Sequence, residues 1–171
     1  MFLKKSRLII AGLFLALCSC GNGVQRIGVV DLPSLYASFD YQKELDAEFQ
    51  NFDEELRIEK DSLTRGIQMF EFTLAQANDY ADDEKNILFE RSYNDYLAQQ
   101  QYLDYVRDSV AKSYSEKVWT QLNSYLQDYG SENGYDVIIG MKGDGNVMYA
   151  SEAANITKDV IEYVNKKYQG E

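Results

Sequence analysis

The chain has 171 residues, of which 45% are apolar and 26% charged, a composition typical of a folded domain or a small domain with one long extension. It contains no histidine, which excludes His-based acid–base catalysis and every His-containing metal site. The net charge of −11 makes nucleic acid a poor partner, because such binding depends on Lys and Arg displacing counterions. The sequence therefore directs attention to protein partners rather than to catalysis or nucleic acid.

The N-terminus has the pattern of a bacterial secretion signal. Three basic residues precede the apolar run from Leu8 to Leu17, which is too short to span a bilayer. The sequence Leu17-Cys18-Ser19-Cys20 resembles a lipobox, with an apolar residue at −3 and a small residue at −1. We expect residues 1–19 to be removed, Cys20 to be lipidated, and residues 20–25 to form a flexible tether. The alternative is an ordinary cleaved signal with incidental cysteines.

The segment that follows the tether reads as the start of a folded body. Residues 26–32 are apolar on both faces of an extended chain, which predicts a buried strand. Pro33 comes next, and residues 34–39 predict a short helix.

From about residue 41 to residue 133 the sequence contains no proline and favours helix. The apolar positions of the first half recur in steps of 4 and 3, as in a coiled coil. They are Leu45, Phe49, Phe52, Leu56, Leu63, Ile67, Phe70, Leu74 and Ala77. Placing Glu59 in the gap after Leu56 predicts a stutter near Gly66. The pattern breaks over residues 77–84, where Asp82 or Asp83 can cap a new helix.

The second half carries a similar apolar stripe and ends near Gly134, a residue suited to a left-handed helix cap. Its members are Phe89, Tyr93, Tyr96, Gln100, Leu103, Val110, Tyr114, Val118, Leu122, Tyr125 and Tyr129. Two long amphipathic helices with a short link predict an antiparallel hairpin, which we call the arm. The pattern is equally typical of a plain coiled-coil spacer.

Beyond the arm the apolar period changes to that of strands. Residues 135–140 predict a second strand, residues 142–146 a turn, and residues 146–150 a third strand. Asn155 can cap a last helix that runs through Tyr168.

The predicted fold class is α+β, mostly α. A small body of three strands and a C-terminal helix (residues 26–40 and 134–171) carries the arm (residues 41–133), inserted after the first strand. So small a body makes a poor core alone, so we expect self-association to bury its apolar residues. These are Ile27, Val29, Val137, Ile139 and Val147.

The order of these segments resembles the Skp/OmpH-like periplasmic chaperone family over essentially the whole mature chain. The resemblance is carried by Ile27-Gly28-Val29-Val30-Asp31, the long hairpin, Gly134-Tyr135-Asp136-Val137-Ile138-Ile139 and Asn155-Ile156-Thr157. It implies a homotrimer whose arms enclose a cavity for unfolded outer-membrane proteins in the periplasm. The family's usual Asp before Ile-Thr is Asn155 here. The lipobox adds a membrane anchor, which soluble members lack.

We therefore expect an ATP-independent holdase, a chaperone that keeps unfolded proteins from aggregating. No enzymatic activity, metal or cofactor is expected, and no glycine-rich nucleotide loop is present. The expected client-binding residues are aromatics outside the seam: Phe72, Tyr80, Tyr102 and Tyr105. Packing between the arm helices, or ordinary surface exposure, would also explain these aromatics. The alternative function is a structural coiled-coil envelope lipoprotein that acts as a spacer or docking arm.

The charge of the arm departs from that of the basic family members. Residues 41–133 hold 20 acidic and 9 basic residues, and residues 71–84 hold five acids and no base. This charge disfavours lipopolysaccharide and anionic membrane surfaces as ligands, leaving the lipid anchor as the expected membrane contact.

Overall fold

The structure, a computed structural model, describes residues 25–77 and 80–171. The elements in chain order are β1 (Ile27–Asp31), α1 (Leu32–Ser38), α2 (Asp40–Gln76), α3 (Asp82–Asn133), β2 (Val137–Met141), a 3-10 turn (Glu152–Ala154) and α4 (Thr157–Gln169). The predicted signal, Cys20 and the tether up to residue 24 lie outside the described residues.

The strands from the two ends of the arm meet, as predicted. β1 and β2 form a parallel pair, with Ile27 opposite Val137 and Val29 opposite Ile139. Parallel strands need a long crossover between them, and here α1, α2 and α3 supply it. On the other edge of β1, the N–H of Ile156 donates to the carbonyl of Val29 at 3.0 Å. The body is therefore closed by residues far apart in sequence.

The predicted third strand is wrong. Within the described residues the sheet has two strands, and residues 146–150 belong to neither. The side chain of Asn146 donates to the carbonyl of Gly140 at 2.8 Å, and its N–H donates to the Asp144 carboxylate at 3.2 Å. Local turn contacts thus replace strand pairing at this point.

Helices α2 and α3 lie side by side and form the arm. The contacts between them join Glu48 with Tyr114, Asp53 with Arg107, and Thr64 with Tyr96. Along these pairs the residue number in α2 rises while the number in α3 falls, so the two helices are antiparallel. At 1.5 Å per residue, the 37 residues of α2 and the 52 residues of α3 span roughly 55 and 78 Å.

The ends of the arm helices follow the predicted signals only in part. Gly134 caps α3 in the left-handed conformation at φ 66°, as predicted. At its start, Ala81 precedes the first turn, so neither Asp82 nor Asp83 is the N-cap. The carboxylate of Glu84 instead accepts the N–H of Ala81 at 3.2 Å. Acidic side chains in this first turn complement the positive end of the helix.

The seam of α2 passes through Lys60 rather than Glu59. Glu59 is exposed, whereas the side chain of Lys60 is 27% exposed and pairs with Asp104 of α3. The steps from Phe52 to Leu56 and from Leu56 to Lys60 are both four residues. The stutter therefore falls at Leu56, and the predicted position near Gly66 is wrong. Because Lys60 is polar, the spacing of apolar residues does not identify it as a seam residue.

The core lies where the arm joins the body. Its fully buried members come from β1, α1, the C-terminal half of α3 and α4. They include Val30, Leu35, Phe39, Val118, Leu122, Val160 and Val164. Phe39 separates α1 from α2, and its ring meets Tyr41, Tyr125 and Tyr168 edge-on at 5.8–6.2 Å between centroids. At the start of α4, Ile156 is the N-cap, so the predicted cap at Asn155 is wrong by one residue. Asn155 Oδ1 still accepts the N–H of Thr157 at 3.1 Å.

Candidate functional site

One face of the sheet leaves apolar side chains uncovered. Alternate residues of a strand share a face, so Ile27, Val29, Val137 and Ile139 lie together. Ile27, Val137 and Ile139 are 46%, 45% and 37% exposed, whereas Val29 is buried beside the segment that leads into α4. Of these four predicted interface residues, three therefore remain accessible, and Val29 is covered by its own chain.

A second apolar surface of the body lies in the segment between β2 and α4. Val147, expected in a strand, is half-buried outside the sheet. Its neighbours Met148 and Tyr149 are 89% and 85% exposed. In a strand packed against the body, one of two adjacent side chains would point toward the body. Here both large apolar side chains reach solvent. Sequence reasoning missed this exposure because it placed both residues in a paired strand.

A groove of about 600 Å³ lies between β2 and the C-terminal part of α3. Val30, Trp119, Leu126 and Ile138 contribute its apolar lining. The body therefore presents concave as well as flat apolar surface.

The four predicted client-binding aromatics are all exposed. Phe72, Tyr80, Tyr102 and Tyr105 are 63%, 49%, 64% and 70% accessible. Tyr80 lies in the link between α2 and α3. Packing between the two arm helices therefore does not account for these side chains.

The structure nevertheless does not bring the four aromatics together. Phe72 comes two residues before the buried Leu74, about 200° around α2. Tyr105 comes two residues after the buried Leu103, about 200° around α3. Since Leu74 and Leu103 face the partner helix, Phe72 and Tyr105 lie on opposite outer sides of the arm. Tyr102, about 100° from Leu103, lies on a flank between those sides.

The arm exposes further apolar residues that the sequence analysis did not name. They are Ile58, Met69, Ile87, Leu88 and Leu97, which are between 37% and 65% accessible. The sequence-based prediction named only aromatics outside the seam. An apolar residue at a helix position outside the seam is the signal in both cases. Applied to aliphatic residues, the same signal identifies this set.

Polar contacts tie α2 to α3 along the seam. Arg107 donates to Asp53 and Lys60 to Asp104, and the hydroxyls of Thr64 and Tyr96 are 3.1 Å apart. The hydrogen bond and negative charge of Asp53 raise the pKa of Arg107. Exposed pairs of this kind contribute little to stability, so their main effect is to fix how the two helices align.

Neither a metal centre nor a membrane span is found in the described part of the chain. Over residues 25–77 and 80–171, no group of His, Cys, Asp and Glu side chains is arranged to hold a metal ion. In the same residues, every helix falls short of the length and apolarity that crossing a bilayer requires.

Comparisons with known proteins agree with this architecture. The family model described as outer membrane protein (OmpH-like) matches residues 26–164. The chain therefore belongs to the OmpH-like family. A crystal structure of a candidate outer membrane chaperone (OmpH-like) from Caulobacter crescentus CB15 has a TM-score of 0.70 at 16% identity. The alignment covers 86% of this chain and 88% of that one, which shows a shared fold. No curated protein sequence matches significantly.

Proposed function

We propose that this protein is a periplasmic chaperone that holds unfolded outer-membrane proteins without ATP. The observation that carries the proposal is the long arm of an OmpH-like chain with large apolar side chains exposed along its length. A holdase needs such surface, because unfolded clients expose apolar and aromatic side chains. Many weak contacts would hold a client while leaving it free to move.

The proposed assembly is a homotrimer formed through the body. Ile27, Val137 and Ile139 are uncovered on one sheet face, and Met148 and Tyr149 are uncovered in the segment between β2 and α4. A second copy of the chain would remove this apolar surface from water. Three bodies packed around an axis would set three arms around a central cavity, in which the client is held.

The charge of the arm supports a choice among clients. The excess of 20 acidic over 9 basic residues in residues 41–133 repels acidic chains and attracts basic ones. Neutral or basic unfolded segments are therefore the proposed ligands. Lipopolysaccharide and anionic lipid carry the same sign of charge as the arm and are not proposed as partners.

The proposed location is the periplasm, with the protein anchored through a lipid on Cys20. The lipobox-like sequence before Cys20 supports the anchor. Two or more acyl chains hold a protein on a membrane stably, whereas one chain binds reversibly. The anchor would keep the arms close to a membrane without any spanning helix.

A structural spacer remains the second function, and the ion pairs of the arm favour it. Arg57 pairs with both Glu54 and Asp61 along α2, and Arg107 pairs with Asp53 across the arm. Charged contacts of this kind suit a straight, well-solvated coiled coil.

Aggregation of an unfolded β-barrel precursor, diluted from denaturant without nucleotide, separates the two functions. The holdase is expected to suppress light scattering from the precursor at a ratio near one trimer per client. A spacer would leave the scattering unchanged.

A further inference from the structure

A groove of about 330 Å³ runs between α2 and α3 on one flank of the arm, in its outer half. Its apolar lining comes from Leu63, Ile67, Phe70 and Tyr96, all of which are half-buried. The volume is enough for one large side chain and part of its neighbour. The helices therefore leave a recess with an apolar lining on this flank of the arm.

Gly66 keeps this recess open. A Cβ built at Gly66 would meet no atom within 4 Å, so close packing does not require glycine here. Glycine in a helix interior is less favourable than any other residue except proline. The clear consequence of having glycine at this position is an unobstructed groove.

Asp95 supplies a charge at the groove. It lines the recess and forms no ion pair among the residues described by the structure. The other polar side chains of the lining, such as Ser92 and Gln99, are neutral. An apolar recess beside one carboxylate matches an apolar side chain that has a Lys or Arg next to it.

Exposed apolar side chains continue the groove in both directions. Met69 lies three residues after Gly66, and Tyr102 lies three residues after Gln99, so each shares a helix face with a lining residue. Met69 and Tyr102 are both 64% exposed. Leu88, four residues before Ser92, extends the same flank towards the end of the arm.

We propose that the Gly66 groove binds an aromatic or large aliphatic side chain of an unfolded polypeptide, and that Asp95 selects a neighbouring basic residue. The proposal rests on the holdase function, and it names a defined subsite within a surface that otherwise binds by scattered contacts. Filling the recess from Gly66 would remove the subsite without changing any residue of the body or the seam.

The test measures binding of a dye-labelled synthetic peptide to the purified protein by fluorescence anisotropy. The peptide carries one Phe between two Lys in a Gly/Ser background, and matched peptides replace Phe by Ser or Lys by Glu. We expect Gly66→Leu to weaken binding of the Lys-Phe-Lys peptide about tenfold, since one apolar contact is lost. Ala98→Leu, which adds the same side chain at an exposed position of α3, is the matched control and is expected to bind like wild type.

Asp95→Asn is expected to remove the preference for the Lys peptide over the Glu peptide. The groove at Gly66 stays open in this variant, so the Phe side chain should still bind. Photocrosslinking with benzoylphenylalanine in place of Phe is expected to label residues 62–70 and 92–99. Unchanged binding by Gly66→Leu, or labels confined to other segments, would overturn the proposal.

The peptide-binding test and the aggregation test can fail separately. If wild type suppresses precursor aggregation and Gly66→Leu binds the peptide unchanged, the groove is misassigned and the function stands. If wild type fails to suppress aggregation but binds the peptide at the groove, the subsite stands and the holdase function fails.

Discussion

The side chain of Asn165 in α4 accepts a hydrogen bond from the backbone N–H of Asp40, the first residue of α2, at 2.8 Å. The same side chain donates to the carbonyl of Ser38 at 3.0 Å. Asn165 therefore binds the chain on both sides of Phe39, where α1 ends and the arm begins. N–H groups at the start of a helix have no partner within that helix, so the C-terminal helix supplies the missing acceptor. The body in this way fixes the direction in which the arm leaves it.

Removing this contact should loosen the root of the arm. Asn165→Ala is expected to lower the free energy of unfolding by about 1–2 kcal/mol, because a capping contact and a second hydrogen bond are lost. Urea unfolding followed by circular dichroism measures the change. Gln169→Ala, which removes only an exposed side-chain contact with Asp40, is the control and should cost less than about 0.5 kcal/mol. Equal losses in the two variants would show that Asn165 has no special role.

The contact between Tyr168 and Glu44 makes the same junction sensitive to alkaline pH. The phenol of Tyr168 donates to the Glu44 carboxylate, and this hydrogen bond is the largest cause that raises the pKa of Tyr168 from 10.0 to about 12. A raised pKa stabilises the folded state below the unfolded value, and this stabilisation is lost as pH rises through the folded value.

Wild type should therefore be more stable than Tyr168→Phe below pH 10, and the difference should shrink between about pH 10 and 12. Thermal unfolding across this range measures the difference. Tyr105→Phe, a change at an exposed position of the arm, should follow wild type throughout. A difference that stays constant to pH 12 would contradict the assigned contact.

The uncovered sheet face predicts how assembly responds to charge. Val137→Asp should convert the proposed trimer to monomer, because it would place a carboxylate in the proposed apolar interface at a cost of several kcal/mol. Light scattering with size exclusion gives the mass. Ser113→Asp adds the same charge at an exposed arm position and should leave the trimer intact. Wild type that stays a folded monomer at micromolar concentration would refute the interface.

Local sequence signals predicted the elements, and the errors concern polar contacts that apolar periodicity does not register. The left-handed cap at Gly134 follows from chain geometry alone and was predictable. Lys60 enters the seam because Asp104 lies across the arm, a relationship that apolar periodicity does not register. Residues 146–150 have a strand-like pattern, yet no strand among residues 25–77 and 80–171 pairs with them.

The candidate site was predictable in composition but not in arrangement. The sequence identified exposed aromatics, since each falls outside the heptad seam. It did not place Phe72 and Tyr105 on opposite sides of the arm, because that requires knowing which residues of α2 and α3 face each other. The Gly66 groove likewise depends on both helices at once.

The arrangement of the aromatics sharpens the test of the client surface. Changing Phe72, Tyr80, Tyr102 and Tyr105 together to Ser should weaken suppression of precursor aggregation and leave the proposed trimer intact, with roughly 1 kcal/mol from each site that faces the cavity. Splitting the change into Phe72→Ser and the pair Tyr102→Ser with Tyr105→Ser should place most of the loss in one of the two. Only one outer side of an arm can face a central cavity. A quadruple variant that holds clients as well as wild type would show that the surface is misassigned.

Native mass spectrometry of the complex with an unfolded β-barrel precursor tests the central claim most directly. After dilution of the precursor from denaturant without nucleotide, the account predicts a species with the mass of three chains and one precursor. Val137→Asp should not form this species, because the cavity requires three arms. A precursor that never associates with the protein, or one that binds equally well to a single chain, would contradict a holdase built from three arms.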